Sequence, residues 1–328
     1  MSNNNYTAPF FEVRGLAKRF PVRKGVLRRV TAEVRAVDGI DFGIHSGRTL
    51  GLVGESGCGK TTTARMILHL DRPSGGQILL EGEDTVSVEG SALAALRRKI
   101  QMIFQDPYSS LDPHKNVGQI VGEPFMVHRI CGRRELPDRI AATLGLVNLS
   151  ADFMRRFPHE LSGGQRQRVG IARSLALSPM LIICDEPVSA LDLSIRSQII
   201  NLLLELQERL GLTYLFIAHD LSLVEHMSDE VAVMYLGKIV ERAPAGDFFD
   251  RPLHPYTEAL LSAVPESDPL RKRDRIILQG DLPSPINPPS GCRFRTRCPL
   301  AAALCAEKEP VLLESSPGHF VACHFRGR

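Results

Sequence analysis

The chain has 328 residues, of which 43% are hydrophobic and 23% charged, with a formal net charge of +3. This is the composition of a soluble globular protein longer than one ordinary domain, and so small a net charge gives no argument for nucleic-acid binding. No apolar run approaches the ~20 residues that span a bilayer, and the first residues lack the order of a secretory signal. We therefore expect a cytoplasmic protein, or one that reaches a membrane only through a partner.

After an opening strand predicted at residues 10–20, the first chemical signature is a phosphate-binding loop. The apolar run at residues 50–53 predicts a buried parallel strand, and Gly54-x4-Gly59-Lys60-Thr61 follows it at the start of a predicted helix. Glycines let successive N–H groups turn toward an anion, and Lys60 and Thr61 would serve the β/γ-phosphates and Mg²⁺. The candidate nucleotide-binding residues are Gly54, Ser56, Gly57, Cys58, Gly59, Lys60, Thr61 and Thr62.

Polar residues follow three further apolar runs, each predicted to be a core strand. These runs are residues 100–104, 181–184 and 213–218. Because the carboxyl ends of parallel strands meet at one edge of a sheet, the polar residues that follow them are site candidates. Asp185 and Gln105 are candidate Mg²⁺ ligands, and Glu186 could orient or deprotonate an attacking water. His219 could hydrogen-bond to the γ-phosphate or to that water.

The pattern of apolar residues and prolines changes over residues 106–177. Apolar residues recur there at helical spacing between prolines, which predicts an inserted helical subdomain. The segment Leu161-Ser162-Gly163-Gly164-Gln165 precedes a predicted helix. Ser162 and the N–H groups at the start of that helix would form a second anion site.

These motifs together resemble the ATP-binding-cassette (ABC) ATPase family over about residues 10–250. The discriminating feature is Leu-Ser-Gly-Gly-Gln, and Ser189-Ala190-Leu191-Asp192 and the position of Phe20, where the family stacks an aromatic ring on adenine, agree with it. The resemblance implies an α/β, P-loop ABC-type nucleotide-binding domain with a mostly parallel sheet that hydrolyses ATP with Mg²⁺. It also implies a head-to-tail dimer. In that dimer one subunit binds the partner's γ-phosphate, Asp192 lies at the interface, and the insertion and Gln105 carry motion to a transport partner; the residues implied for phosphate binding are Ser162, Gly163, Gly164 and Gln165.

The C-terminal part carries a finer resemblance. Residues 106–113, 254–257 and 280–289 are similar to the ATPase subunits of dipeptide and oligopeptide importers. The resemblance implies an ABC ATPase domain at 1–250 and a small Cys/Pro-rich extension at 251–328. It implies a second ATPase subunit, expected to be a different chain, two membrane permease subunits and an extracytoplasmic solute-binding protein, with no nucleic acid. The chain would be peripheral, at the cytoplasmic face of the inner membrane; that class also imports nickel, opines and glutathione, so the solute stays open.

Four cysteines crowd the extension, spaced Cys292-x5-Cys298-x6-Cys305-x17-Cys323. The lack of a Cys-x2-Cys pair weakens a zinc-ribbon interpretation. Four thiolates suit a [4Fe–4S] cluster, and some dipeptide-importer ATPases carry one here. Plain buried thiols, zinc and a disulfide are the alternatives.

Two other functions compete with transport. The chain could be a soluble ABC protein that acts on ribosomes or nucleic acid, but such proteins usually carry two cassettes or a long coiled-coil insertion. It could also be a regulatory cassette that binds ATP without hydrolysing it. The intact set Lys60, Asp185, Glu186 and His219 argues against the second alternative.

Overall fold

The structure is a computed structural model that describes residues 9–24, 29–264 and 275–327. The strands in chain order are β1 (Phe11–Lys24), β2 (Arg29–Ile44), β3 (Thr49–Val53), β4 (Gly75–Leu80), β5 (Glu83–Asp84), β6 (Ile100–Ile103), β7 (Leu181–Asp185), β8 (Thr213–Ile217), β9 (Glu230–Tyr235), β10 (Lys238–Pro244), β11 (Leu313–Ser316) and β12 (His319–Val321). The α-helices are α1 (Lys60–Ile67), α2 (Gly90–Lys99), α3 (Pro107–Ser110), α4 (Val117–Val127), α5 (Leu136–Leu146), α6 (Gly163–Leu175), α7 (Leu193–Leu210), α8 (Leu221–Met227), α9 (Ala245–Asp250), α10 (Pro255–Ser262) and α11 (Ala303–Glu307).

The internal contacts divide the chain into two compact units. The first unit comprises residues 1–44, 49–86 and 217–328, and the second comprises residues 45–48 and 87–216. The C-terminal extension therefore belongs to the unit that contains the phosphate-binding loop. The domain limits 1–250 and 251–328 stay a prediction.

The first unit contains two groups of strands. One is the antiparallel sheet β2-β1-β4-β5, and the other runs in the order β11-β12-β10-β9-β3. Strands β3 and β9 are parallel, with Leu50 opposite Glu230 and Val53 opposite Val233. The turn at Leu236 and Gly237 has positive φ at both residues, as tight hairpin turns require, so β10 returns antiparallel to β9.

The second unit is built on β8, β7 and β6 and carries the inserted helices. Strands β6 and β7 are parallel, and β7 is buried along its whole length, as expected of a parallel core strand. The insertion consists of α3 to α6 with two short 3₁₀ segments at Ala151–Arg155 and Pro158–Glu160. The prediction of an inserted helical region is met by these elements.

The α/β fold is confirmed, and its strand pairing is mixed. The strands that precede the phosphate loop and the acidic pair have parallel partners, whereas β1 pairs antiparallel with β2, and β9 pairs antiparallel with β10 through the tight turn at Leu236 and Gly237. Within the described residues, no helix has both the length and the apolar character that crossing a bilayer requires.

Candidate nucleotide site

The phosphate loop needs glycine at two positions for steric reasons. Gly54 has φ 148° and Gly59 has φ 116°, a region that L side chains rarely adopt. A Cβ on Gly54 would lie 2.1 Å from the Met234 carbonyl oxygen, and one on Gly59 would lie 2.3 Å from that of Ala36. The predicted loop is therefore held closely against the neighbouring backbone.

The loop presents the donors that a phosphate group needs. Lys60 is only 6% exposed, and its Nζ donates to the carbonyl oxygens of Gly54 at 2.7 Å and Glu55 at 3.1 Å. Helix α1 starts at Lys60, and the residue before it, Gly59, has no side chain that could cap the first N–H groups of the helix. Thr61 is exposed beside them. A glycine-shaped cradle, an ammonium group and a helix N-terminus preceded by a glycine that cannot cap it fit a triphosphate.

Two residues of the C-terminal extension contact this loop at Glu55. The Glu55 N–H donates to the Tyr256 hydroxyl at 2.9 Å, and Arg297 Nη1 donates to Glu55 Oε2 at 2.9 Å and to Oε1 at 3.1 Å. From the sequence, Arg297 is expected only to offset the charge of a cluster at the cysteines, and no contact of Tyr256 or Arg297 with the phosphate loop is predicted. Glu55 occupies a variable position of the loop pattern, and 242 residues separate it from Arg297, so no local pattern indicates the pair.

In the second unit the structure brings two predicted residues together. Gln105 follows β6, Glu186 follows β7, and Gln105 Nε2 donates to Glu186 Oε2 at 2.7 Å. Glu186 has φ 48°, which is strained for a residue with a Cβ, and such strain concentrates at functional sites. Asp185 is 5% exposed at the end of β7. His219 is exposed in the first unit, just before α8.

The Leu-Ser-Gly-Gly-Gln segment begins α6 with a capping box. The Gln165 N–H donates to Ser162 Oγ at 3.3 Å, and the Ser162 N–H donates to Gln165 Oε1 at 3.0 Å. A Cβ on Gly164 would lie 2.7 Å from Ile195 Cγ2, and one on Gly163 would lie 3.2 Å from Leu191 Cδ2. Capping and close packing thus explain three of these residue types; their contact with nucleotide stays a prediction.

Two other predicted contact residues are accessible. Asp192 is exposed immediately before α7. Phe20 lies on β1 with 37% of its surface exposed, and Lys18 Nζ lies 5.0 Å from its ring centroid. Both are placed where a partner or a ligand could reach them, and their roles stay predictions.

The four cysteines of the extension are free thiols. Burial raises the pKa of Cys292 to about 11, and the other three cysteines add to the shift, so this thiol stays neutral near pH 7. Among the residues that the structure describes, no three or more Cys, His, Asp or Glu side chains form a group that could hold a metal ion. The described residues therefore give no support to the predicted iron–sulfur cluster.

Two family models match the chain. The ABC transporter model covers residues 37–189, and the model of the oligopeptide/dipeptide transporter C-terminal region covers residues 240–305. The chain is 52% identical to the oligopeptide transport ATP-binding protein AppF of Bacillus subtilis, over 95% of this chain and 96% of the relative. It is 49% identical to the probable peptide ABC transporter ATP-binding protein y4tS of Sinorhizobium fredii, over 96% and 89% of the two chains.

Solved structures agree with these matches. The dimeric ATP-binding cassette MJ0796, in a post-hydrolysis state bound to ADP and Pi, aligns with a TM-score of 0.63 at 27% identity, over 72% of this chain and 98% of that one. The cbiO1 protein of Clostridium perfringens, part of the ABC transporter complex cbiONQ, aligns with a TM-score of 0.64 at 27% identity, over 75% and 92%. The chain belongs to the ABC transporter family, among the ATP-binding proteins that carry the oligopeptide/dipeptide transporter C-terminal region.

Proposed function

We propose that this chain is the ATP-hydrolysing subunit that powers import of di- or oligopeptides, or of related solutes, across the cytoplasmic membrane. The observation that carries the proposal is the combination, in one unit, of a phosphate loop and a C-terminal extension of the oligopeptide/dipeptide type. Relatives named as peptide transport ATP-binding proteins match nearly the full length, which supports the same solute class here.

The chemistry is assigned residue by residue. Lys60 and the N–H groups of the loop bind the phosphates. Glu186 orients or deprotonates the attacking water, and its hydrogen bond from Gln105 holds the carboxylate in place. Bound Mg²⁺ would neutralise phosphate charge. Thr61, Gln105 and Asp185 as its ligands, and His219 as a contact of the water or phosphate, stay predictions from the sequence.

The active form is proposed to be a head-to-tail dimer. Ser162 and Asp192 are exposed, and the neighbouring Leu193 is 79% exposed, as an apolar residue awaiting a partner surface would be. The MJ0796 cassette is itself dimeric. The partner is expected to be a second, different ATPase subunit, joined by two permease subunits and an extracytoplasmic binding protein at the cytoplasmic face of the membrane.

The assembled transporter in lipid vesicles tests the proposal. Peptide uptake and phosphate release should both require ATP, and Lys60→Ala should abolish both because it removes the ammonium group of the loop. Phosphate release without uptake of any peptide or related solute would reject the transport function. Absence of hydrolysis in the complete complex would favour a non-hydrolysing cassette instead, and stimulation by ribosomes or DNA would favour the other alternative.

A [4Fe–4S] cluster in the extension is the finer hypothesis for the four cysteines. Its support is the crowding of Cys292, Cys298, Cys305 and Cys323 in the last part of the sequence. Protein purified anaerobically should then contain about four iron atoms per chain and absorb visible light. Colourless protein without iron would leave plain thiols, zinc or a disulfide, which metal analysis and thiol titration separate.

A further inference from the structure

Glu55 brings a carboxylate into the loop that is proposed to hold a triphosphate. It directly follows Gly54, and its carbonyl oxygen accepts a hydrogen bond from Lys60 Nζ. A negative charge at this position opposes the binding of a strongly anionic ligand unless a cation compensates it. A triphosphate therefore binds well at this loop only if a cationic group neutralises the Glu55 carboxylate.

Arg297 of the extension is that group. Its side chain is 10% exposed and that of Glu55 is 28% exposed, so water screens this ion pair less than it screens a surface pair. One guanidinium nitrogen contacts both carboxylate oxygens. Burial disfavours the charged form of Arg297, but its hydrogen bonds to Glu55 and the negative charge of that carboxylate outweigh burial and raise the pKa of the guanidinium.

The extension is anchored so that Arg297 cannot easily move away. Tyr235 at the end of β9, Tyr256 on α10 and Phe294 form a cluster of buried rings with centroids 4.7–5.4 Å apart. Arg293, which is 7% exposed, donates to the Leu236 carbonyl oxygen and to the Asp38 carboxylate. These contacts place Arg297 and the Tyr256 hydroxyl at the same loop residue.

We propose that Arg297 and Tyr256 are positioning residues of the nucleotide site: Arg297 neutralises Glu55, and Tyr256 holds the backbone of the loop at that residue. The inference rests on the proposed assignment of the Gly54–Thr61 loop to ATP. It gives the C-terminal extension a direct role in nucleotide affinity, carried by two side chains that lie outside the cassette motifs.

Binding of MgATP to the purified full-length chain, measured by calorimetry, tests this role. Arg297→Ala should weaken binding about tenfold, because it leaves the Glu55 carboxylate uncompensated. The double variant Arg297→Ala with Glu55→Gln should bind within about twofold of the parent, since no charge then needs neutralising. Arg297→Lys, which keeps the cation, should lie between parent and Arg297→Ala.

Arg295→Ala is the matched control. Arg295 lies two residues away and donates to the Ser290 carbonyl oxygen inside the extension, so its loss should leave MgATP affinity unchanged. Thermal unfolding of every variant identifies folding defects. The loss in Arg297→Ala should also shrink at high salt, which screens charge repulsion but would not restore a purely structural defect.

The outcomes separate this inference from the assignment of the site. If Lys60→Ala binds MgATP like the parent, the loop is not the nucleotide site and both fail. If Lys60→Ala abolishes binding while Arg297→Ala binds like the parent, only the positioning role is overturned. If Glu55→Gln fails to rescue a folded Arg297→Ala, charge neutralisation by Arg297 is wrong.

Discussion

Gln105 and Glu186 are joined by a 2.7 Å hydrogen bond from the amide Nε2 to the carboxylate Oε2, across 81 residues of sequence. They follow the adjacent parallel strands β6 and β7. Gln105 lies one residue before the inserted helical region, so this bond connects the proposed catalytic carboxylate to the start of that region. Movement of that segment would change how Glu186 is held.

Replacing the carboxylate of Glu186 tests the proposed hydrolytic role. Glu186→Gln should lower turnover by about 100-fold or more, because the amide cannot accept the proton of an attacking water. ATP affinity should stay within about twofold, and the ATP-bound dimer should accumulate. Phosphate release by the assembled transporter and the molar mass of the ATP-loaded sample measure these effects. Turnover at the parent rate would exclude Glu186 as the base.

Removing the hydrogen bond from Gln105 should loosen Glu186 without touching the phosphate loop. Gln105→Ala should lower kcat about tenfold, because a carboxylate that is no longer held spends less time in the productive orientation. Gln101→Ala is a matched control, since Gln101 lies in β6 and donates to the backbone carbonyls of Arg97 and Ile100. Equal kcat values for the two variants would show that the Gln105–Glu186 bond does not matter for turnover.

Helices α4 and α6 begin with the same kind of capping box. Comparing variants of the two distinguishes a capping role of Ser162 from a role in binding nucleotide. Asn116 and Gln119 cap α4 with the same reciprocal bonds that Ser162 and Gln165 form at α6. Asn116→Ala and Ser162→Ala should each cost about 1 kcal/mol of unfolding free energy, measured in urea. Ser162→Ala should in addition reduce the ATP-stalled dimer and turnover. If both variants assemble and hydrolyse ATP equally well, Ser162 serves only as a cap.

The buried His254 makes the extension sensitive to acid. Its Nδ1 accepts the Tyr256 N–H at 3.1 Å and so caps α10. Burial lowers the pKa of His254 from 6.5 to about 4, with Glu241 partly opposing the shift. Because the unfolded chain binds this proton more readily than the native one, the stabilisation is complete above pH 6.5 and is lost as the pH falls toward 4.

His254→Asn isolates that contribution, because asparagine also caps helices but does not titrate. Between pH 7 and pH 4 the parent should lose roughly 2–3 kcal/mol more unfolding free energy than the variant. The urea midpoint of unfolding, followed as a function of pH for both proteins, measures the difference. Parallel curves for the parent and the variant would show that protonation of His254 is not linked to folding.

Much of the site can be predicted from short stretches of sequence. The glycines of the phosphate loop, the apolar runs that become β3, β7 and β8, and the Ser162 cap depend on backbone conformation and on neighbours within a few residues. The sequence also predicts that the polar residues after β6 and β7 lie at one edge of a parallel sheet, and the parallel pairing of these two strands agrees with that prediction. Such local signals survive in the sequence because the physical requirement is itself local.

Partners that lie far apart in the chain are not encoded in this way. The Arg297–Glu55 pair spans 242 residues and exists because the aromatic cluster and Arg293 anchor the extension against the loop. Within the described residues the thiols of Cys292 and Cys298 form no disulfide, and burial by the segments packed around them raises the pKa of both. Only the tertiary structure decides such contacts, because the partners and solvation of a side chain depend on which distant segments pack beside it.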